Sequence, residues 1–478
     1  MIFRRLANDS VIYGGADFLS KLFSFFTFPI IAAVLSPKIF GTLELILTST
    51  ALLGLIMNCG INNSVQRFYW DKNTGKNDQP TIVTAGFISQ ISLGIVAVVL
   101  VSLLIPFVIT FPAVAELSLT SYTLFTALIL MALSQWSQFI LDVIRLHFTP
   151  WRFFSLALLS RVVSICFGLV AVVWLGLGLN GLLGAQILVL IVVCPIGLFM
   201  IRKDINLLRI NLGWVKQLLQ FGYPFIFAGL AFWLFGTMDR WMLASMSSVE
   251  ETGTYSVAFR FASVVLFVST AFGQAWSPFA MKIRKDHPAS YATIYGYVLL
   301  LIVLLMTIVG GLVALFSGEV ISLMMPPEYL SSALPLSILS FGVVLQSTLQ
   351  VTAVGISLEK KTFIFARLSW LTAAINFVLN WVLIPMYGSS GAAISTFISY
   401  FVLTGCYFYF SQSLHPIVIS YGRLFALLLL GSIVAITSLS MIANTIDWVI
   451  VGVKLLIGLV CLVIGLFTIP MSSIRKII

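Results

Sequence analysis

Apolar residues in this chain run in blocks of about 20, broken by short polar stretches, along its whole length. At ~1.5 Å rise per helical residue, a block of that size crosses a hydrocarbon layer ~30 Å thick. The blocks predict helices near 8–33, 40–62, 82–109, 118–140, 153–175, 180–201 and 221–243. A second series follows near 254–280, 291–316, 332–357, 363–384, 390–410, 423–442 and 448–469. An outer-membrane barrel would instead show ~10-residue segments of alternating polarity. The expected fold is all-α and integral to a membrane, with about fourteen transmembrane helices.

Composition supports this reading. Of 478 residues, 60% are hydrophobic and 9% charged, and the mean hydropathy is +1.10. A soluble domain carries roughly 25% charged residues. Arg4 and Arg5 precede the first apolar run as they would in a signal peptide, but that run holds Asp17 and Lys21 and lacks a small-residue cleavage site. It reads as a retained helix. The five cysteines (Cys59, Cys166, Cys194, Cys406 and Cys461) are scattered through apolar segments, which suits neither a disulfide framework nor a metal centre.

The net charge of +10 raises the question of nucleic acid, and its distribution answers it. With the amino terminus in the cytoplasm, twenty of the 26 basic residues fall in cytoplasmic segments, from Arg4 to Lys476. The outer loops hold Lys38 alone of the basic residues, while Glu116, Glu250, Glu251, Glu319, Glu328 and Asp447 lie outside. The excess is the positive-inside signal of a multi-pass protein with both termini cytoplasmic, and no nucleic-acid partner is implied. The loops are too short for a soluble catalytic domain, so an enzyme is not expected. Gly176-x-Gly178-x-x-Gly181 matches a dinucleotide fingerprint by letters only, since no strand precedes it, and no Walker A loop is present. The histidines His147, His287 and His415 lie in separate loops without metal-ligand spacing.

The two halves echo each other. A shift of 212 residues carries Leu35-Ser36 and Gly41-Thr42 onto Ser247-Ser248 and Gly253-Thr254. A shift of 207 carries Gly181-x-x-Gly184-Ala185 onto Gly388-x-x-Gly391-Ala392. These matches suggest two pseudo-symmetric six-helix bundles, 1–217 and 218–412, around a central cavity, followed by two further helices over 413–478.

Polar residues within the spans fall on single helical faces. Ser256, Arg260, Ser263, Thr270, Gln274 and Ser277 form one stripe, and Glu44, Thr48, Asn58 and Asn62 occupy the register-equivalent face of the second span. Ser134, Gln138, Asp142 and Arg145 share a face of the fourth, and Tyr13, Asp17, Lys21 and Ser24 one of the first. Such stripes either join helices by hydrogen bonds or border a water-filled cavity. Charges inside spans are costly and mark sites to be examined: Lys21, Arg161, Arg240, Arg260 and Lys454. Asp17 and Lys21 have the spacing for a pair within one helix. Arg161 and Lys454 stand near enough to span ends to snorkel, and no role is assigned to Lys454. Asp239 and Arg240 are placed for a structural ion pair, or, with Arg260, for a site of net positive charge suited to phosphate.

Several motifs carry a family resemblance. Tyr13-Gly-Gly-Ala-x-x-Leu-Ser-Lys21, Pro29-Ile30 and Leu35-Ser36-Pro37-x-x-Phe40-Gly41 open the chain. Phe221-Gly-Tyr-Pro224, Asp239-Arg240, Glu251-x-Gly253-x-Tyr255-Ser256, Asn376-x-x-x-Asn380, Pro385 and Gly388-x-x-Gly391-Ala392 follow in order. The set resembles polysaccharide-type flippases of the multidrug/oligosaccharidyl-lipid/polysaccharide flippase superfamily. That resemblance implies alternating-access transfer of an undecaprenyl-pyrophosphate-linked oligosaccharide across a bacterial inner membrane, for O-antigen, capsule or exopolysaccharide. Substrate contacts would be Lys21, Arg161, Arg240, Arg260 and Gln274, with Asp17, Glu44 and Asp239 tuning charge or coupling ions. No cofactor is implied beyond coupling to a sodium or proton gradient. The implied partners are the lipid-linked oligosaccharide, membrane lipids, a polysaccharide polymerase and a chain-length regulator. The rival readings are a cation-coupled multidrug exporter of the same superfamily and a membrane glycan polymerase or ligase.

Overall fold

The computed structural model describes residues 2–468 apart from 72–73, 76–77, 111, 116, 118, 207–209, 360, 362 and 444. The charged positions Lys72, Lys76, Glu116, Arg209, Lys360, Arg475 and Lys476 therefore lie outside the described residues. Among those described there is no strand. Among the described residues, thirteen helices are long and apolar enough to cross a membrane.

The chain divides into two compact units, Met1–Trp233 and Leu234–Ile478. The first unit contains α1 (Ile2–Val34), α2 (Pro37–Asn58), α3 (Ile61–Tyr69), α4 (Gln79–Thr110), α5 (Ser121–Leu146), α6 (Pro150–Leu169), α7 (Gly178–Met200) and α8 (Leu212–Gly222). Helix α9 (Pro224–Met246) carries the chain into the second unit. That unit continues with α10 (Val249–Ala262), α11 (Val264–Asp286), α12 (Tyr291–Leu315), α13 (Ser317–Met324), α14 (Ala333–Thr352), α15 (Phe363–Leu414), α16 (Tyr421–Ser440) and α17 (Trp448–Thr468).

The count of thirteen becomes fourteen crossings within α15. A straight helix of its 52 residues would be about 78 Å long, more than twice the hydrocarbon thickness. Gly388 breaks it with φ 55° and ψ −132°, a conformation that suits only glycine. Beyond that break the chain doubles back, so that the Leu383 carbonyl lies directly against Gly391. Tyr407 then donates to the Phe365 carbonyl at 3.3 Å, 42 residues earlier in sequence. The Glu251 carboxylate accepts from the Ser389 amide and caps this turn.

Both units open in the same way. Ser36 accepts from the Ile39 amide at 3.5 Å at the start of α2, and Ser248 accepts from the Glu251 amide at 3.1 Å at the start of α10. These serines are register-equivalent under the 212-residue shift, and each satisfies a backbone donor that has no helical partner.

Large apolar side chains face outward along the helices, among them Leu103, Phe107, Trp174, Phe232, Phe425 and Phe467. Water would not tolerate an apolar surface of this extent, whereas lipid does. In lipid the hydrophobic effect does not hold helices together, and close packing at small residues replaces it. Gly86 meets Val65 and Phe139, Gly197 meets Ile140 and Leu156, and Gly310 meets Val344. Inside the first unit these contacts belong to a core of Ile61, Ile82, Phe139, Ile144, Phe153 and Val193. Cys59 and Gly60 both adopt left-handed backbone, which ends α2 and lets α3 set off in a new direction, short of the boundary expected near residue 62. Gly60 and Gly222 then touch backbone to backbone, with no room for a side chain at either. Span eight likewise breaks, at Ser263, into α10 and α11.

The second correction concerns Lys454. Its ammonium does not snorkel to an interface but is completely buried, bonding both carboxylate oxygens of Glu319 at 2.6 and 2.8 Å. Glu319 sits in the first turn of α13, itself buried, rather than in an open outer loop. The pair fastens α17, mostly exposed along its length, to the rest of the second unit. Removing one partner strands a buried charge, at a cost of about 3–5 kcal/mol, while replacing both with neutral groups is close to neutral. Lys454→Met is expected to lower the thermal unfolding midpoint of the purified protein sharply, and Lys454→Met with Glu319→Gln to restore most of it.

Candidate translocation site

Four helices of the first unit surround a cavity of about 630 Å³. Each contributes residues at helical spacing: Asp17, Ser20, Lys21 and Ser24 from α1, then Ser134, Ser137, Gln138 and Leu141 from α5. Helix α6 adds Ser160, Arg161, Ser164 and Ile165, and α7 adds Gln186 and Leu190. The i, i+3, i+4, i+7 pattern turns one strip of each helix toward a common space. Most of these side chains are polar, so the cavity suits water and hydrophilic solutes.

The charges in this cavity do not pair as their spacing suggested. Asp17 accepts from the Arg161 guanidinium across α1 and α6, rather than from Lys21 one turn along its own helix. Arg161 therefore reaches a carboxylate and does not snorkel. Both members of the pair are half-buried, and Lys21 is exposed at the cavity wall. One acid and two bases leave the lining with a net positive charge. The serines sharpen its chemistry: Ser20 donates to the Ala16 carbonyl at 2.7 Å and Ser160 to the Ala157 carbonyl at 3.0 Å. With their hydrogens so committed, their lone pairs face a ligand as acceptors.

The expected residues of the second unit form a different arrangement. Asp239 and Arg240 are both buried and form an ion pair, with Oδ1 to Nη1 at 3.2 Å. The Tyr255 hydroxyl donates to the other oxygen of Asp239 and lies 3.2 Å from the Thr396 hydroxyl. Arg240 also donates to the Gly236 carbonyl at 2.9 Å and stacks over Phe259, 4.8 Å from the ring centre. This network is closed packing that joins α9, α10 and α15. Arg260 lies half-buried in the last turn of α10. The stripe drawn through it is not uniform, since Ser256 is fully buried while Thr270 is exposed. The side chains of Gln274, Ser277 and Tyr13 lie outside the described residues. Glu44 is buried in α2 and is not among the residues lining the 630 Å³ cavity.

The sequence reading had not singled out Ser160, Ser164 or Gln186. Their signal was present as a polar strip on α6 and α7, but serine is common in membrane helices for packing alone.

Comparison with known proteins places this geometry. A sequence family described as polysaccharide biosynthesis protein matches residues 6–284. An uncharacterized membrane protein of Methanocaldococcus jannaschii is 23% identical over 194 residues, 40% of this chain, and the match spans 38% of that relative's length. The fold aligns with the lipid II flippase MurJ in an inward closed conformation at a TM-score of 0.76 and 13% identity, covering 98% of this chain and 100% of that one. An inward-facing multidrug resistance MATE family transporter of the MOP superfamily aligns at 0.65 and 14% identity, covering 85% and 95%. A MATE transporter of Vibrio cholerae aligns at 0.54 and 16% identity, covering 86% and 96%. The solved chains that share the fold are flippases and transporters, not enzymes.

Burial separates the basic residues by the damage their loss should cause. Arg240→Ala strands buried Asp239, and should cost about 3–5 kcal/mol, read as a large drop in unfolding midpoint. Lys21→Ala removes an exposed cavity charge and should leave the midpoint within about 0.5 kcal/mol of the parent.

Proposed function

The chain belongs to the polysaccharide biosynthesis protein family, and from that premise we propose that it is a flippase for an undecaprenyl-pyrophosphate-linked oligosaccharide. The glycan would pass from the inner to the outer leaflet of a bacterial inner membrane, to be built into O-antigen, capsule or exopolysaccharide. The observation that carries the reading is the polar cavity of the first unit, with Lys21 and the Arg161–Asp17 pair in its wall.

The chemistry of such a cargo fits that wall. Its head group is anionic at the pyrophosphate and rich in hydroxyls beyond it, while its prenyl chain is content in lipid. Lys21 offers a point charge and Arg161 a planar fork that grips phosphate oxygens in pairs. Asp17 holds that fork in place beforehand, and a pyrophosphate entering the cavity takes over part of its bonding. Serine and glutamine side chains supply the acceptors and donors that sugar hydroxyls need. The head group enters from the cytoplasmic side and is released outside by alternating access, with the tail in the bilayer throughout. Arg260 in the second unit is a further contact for the glycan. A polysaccharide polymerase and a chain-length regulator would act on the product, and a sodium or proton gradient would drive the cycle.

A multidrug exporter shares this fold, and the balance of charge argues against it. A carrier of cationic drugs gains from acidic cavity walls, whereas bases outnumber acids here. Loss of one charge-assisted bond is worth ~1.5–3 kcal/mol, or roughly tenfold and more in binding. In a host whose own flippase is deleted and whose glycan pathway matches, Lys21→Ala, Arg161→Ala and Arg260→Ala should each lower surface polymer about tenfold at unchanged membrane abundance. Wild-type output from the Lys21→Ala, Arg161→Ala double variant would defeat the reading, as would raised drug tolerance in a pump-deficient strain without any polymer export.

A further inference from the structure

A row of hydrogen-bonded side chains, three amides and one acid, leads from the transport cavity of the first unit into its packed interior. Gln138, in the cavity wall, donates from Nε2 to Oδ1 of Asp142 at 3.0 Å. Oδ2 of Asp142 accepts from Asn62 Nδ2 at 2.7 Å, and Asn62 Oδ1 accepts from Gln90 Nε2 at 3.0 Å. Gln90 is fully buried, and its Oε1 has no hydrogen-bond partner among the described residues. Asp142 and Asn62 also line a second, smaller cavity of about 210 Å³, with Trp70 and Phe148 at its loop end.

The charged groups that face Asp142 are few. Arg145, on the same helix, lies 3.7 Å from Oδ1, and Arg161 acts from α6 at longer range. Helices α3 and α4 present the amides of Asn62 and Gln90, and Arg67 of α3 is engaged by Asp71 at 3.5 Å. Asp142 is thus an acid held by two amide donors and by the Arg145 guanidinium, beside a cavity large enough for several waters.

An ionised carboxylate only accepts hydrogen bonds, so both of its amide neighbours must turn N–H groups toward it. That requirement orients the whole row: Gln90 donates to Asn62, Asn62 to Asp142, and Gln138 to Asp142. A protonated carboxyl has one O–H to donate. Its bond to Asn62 reverses when that amide turns over, Asn62 then donates toward Gln90, and the unpartnered Oε1 of Gln90 turns in to accept. No link in the row is lost; only its direction changes.

We propose that Asp142 is a proton-binding site of the first unit, loaded by hydronium from the small cavity and coupled to the transport cavity through Gln138. The proton passes from hydronium to Oδ2 of Asp142, leaving water, and no other covalent bond changes. Release follows the same path in reverse. Gln138 then contacts either a carboxylate or a neutral acid, which changes the partner it keeps while facing the cargo. The coupling half of the proposal rests on the flippase reading above, whereas the proton site itself does not.

The test of the site needs no cargo. Infrared difference spectra of the full-length protein in lipid vesicles, taken between neutral and acidic buffer, should show a carboxyl C=O band rising on acidification. Asp142→Asn should abolish that band, Asp142→Glu and Asp17→Asn should keep one, and Asn62→Leu should move its midpoint by about one pH unit. A band unchanged in Asp142→Asn, or insensitive to Asn62→Leu, overturns the site and its amide relay. For the coupling, Asp142→Asn at normal abundance should lose the dependence of surface-polymer output on cytoplasmic pH, set in whole cells with a permeant weak acid, and retention of that dependence overturns it. Neither result bears on the Lys21 and Arg161 variants, which test the flippase reading alone.

Discussion

A charge inside a hydrocarbon layer has no bulk water to turn to, and the cost of leaving it bare is several kcal/mol at the least. Three ion pairs among the described residues answer that constraint, and the contacts around each help decide which helices stand together. Asp17 and Arg161 bind α1 to α6, and Glu319 and Lys454 bind α13 to α17. Asp239, shared by Arg240 and Tyr255, ties α9 to α10, with Thr396 adding α15. Apolar packing in lipid discriminates weakly between one greasy helix face and another. A charge that can be neutralised in only one place discriminates strongly. The polar groups therefore specify the arrangement that small residues and side-chain packing then consolidate.

The same economy joins the motifs of the second half into one structural unit. Glu251 caps the turn at Gly388, and Tyr255, one helical turn further along α10, reaches Asp239 and Thr396. Asp239-Arg240, Glu251-x-Gly253-x-Tyr255 and Gly388-x-x-Gly391 are thus three parts of one junction. Gly388 needs its positive φ and stands directly against the Glu251 carboxylate, so even a methyl group there meets both backbone strain and a steric clash.

Helix number and the polar faces were legible in the sequence because hydrophobic blocks and helical periodicity are local properties. Asp17, Lys21 and Ser24 could be placed on one face of α1, and the structure turns that face to the cavity. Partner choice was not legible. Asp17 and Lys21 sit at favourable i, i+4 spacing, yet Asp17 meets a base 144 residues away. An intrahelical pair of this kind contributes only ~0.2–0.5 kcal/mol, and the charge-assisted bond from Arg161 takes its place. Lys454 shows the same limit: its position suggested escape to the interface, and only the fold of α13 brings Glu319 to it. Span eight remains one apolar span over Val249–Gly273, with a local interruption at Ser263, whose side chain donates to the Arg260 carbonyl at 2.6 Å.

The two repeats have kept the devices of folding and parted in the placement of charge. Ser36 and Ser248 cap equivalent helices, but the charges of the first cavity fall on uncharged residues under the repeat shifts. Under the same shifts Asp17, Lys21 and Arg161 fall on Gly229, Trp233 and Leu368. In the other direction Asp239 and Arg240 fall on Thr27 and Phe28, and Tyr255 falls on Leu43. The register equivalents of these costly groups are therefore apolar or neutral. In the first unit the costly groups border open space and remain half-buried, while in the second they are sealed into packing. A buried charge that touches only protein can stabilise or specify a structure, but it cannot meet a solute. On this ground the charges of the first cavity are accessible to a solute, and the Asp239–Arg240 pair serves to hold a junction closed.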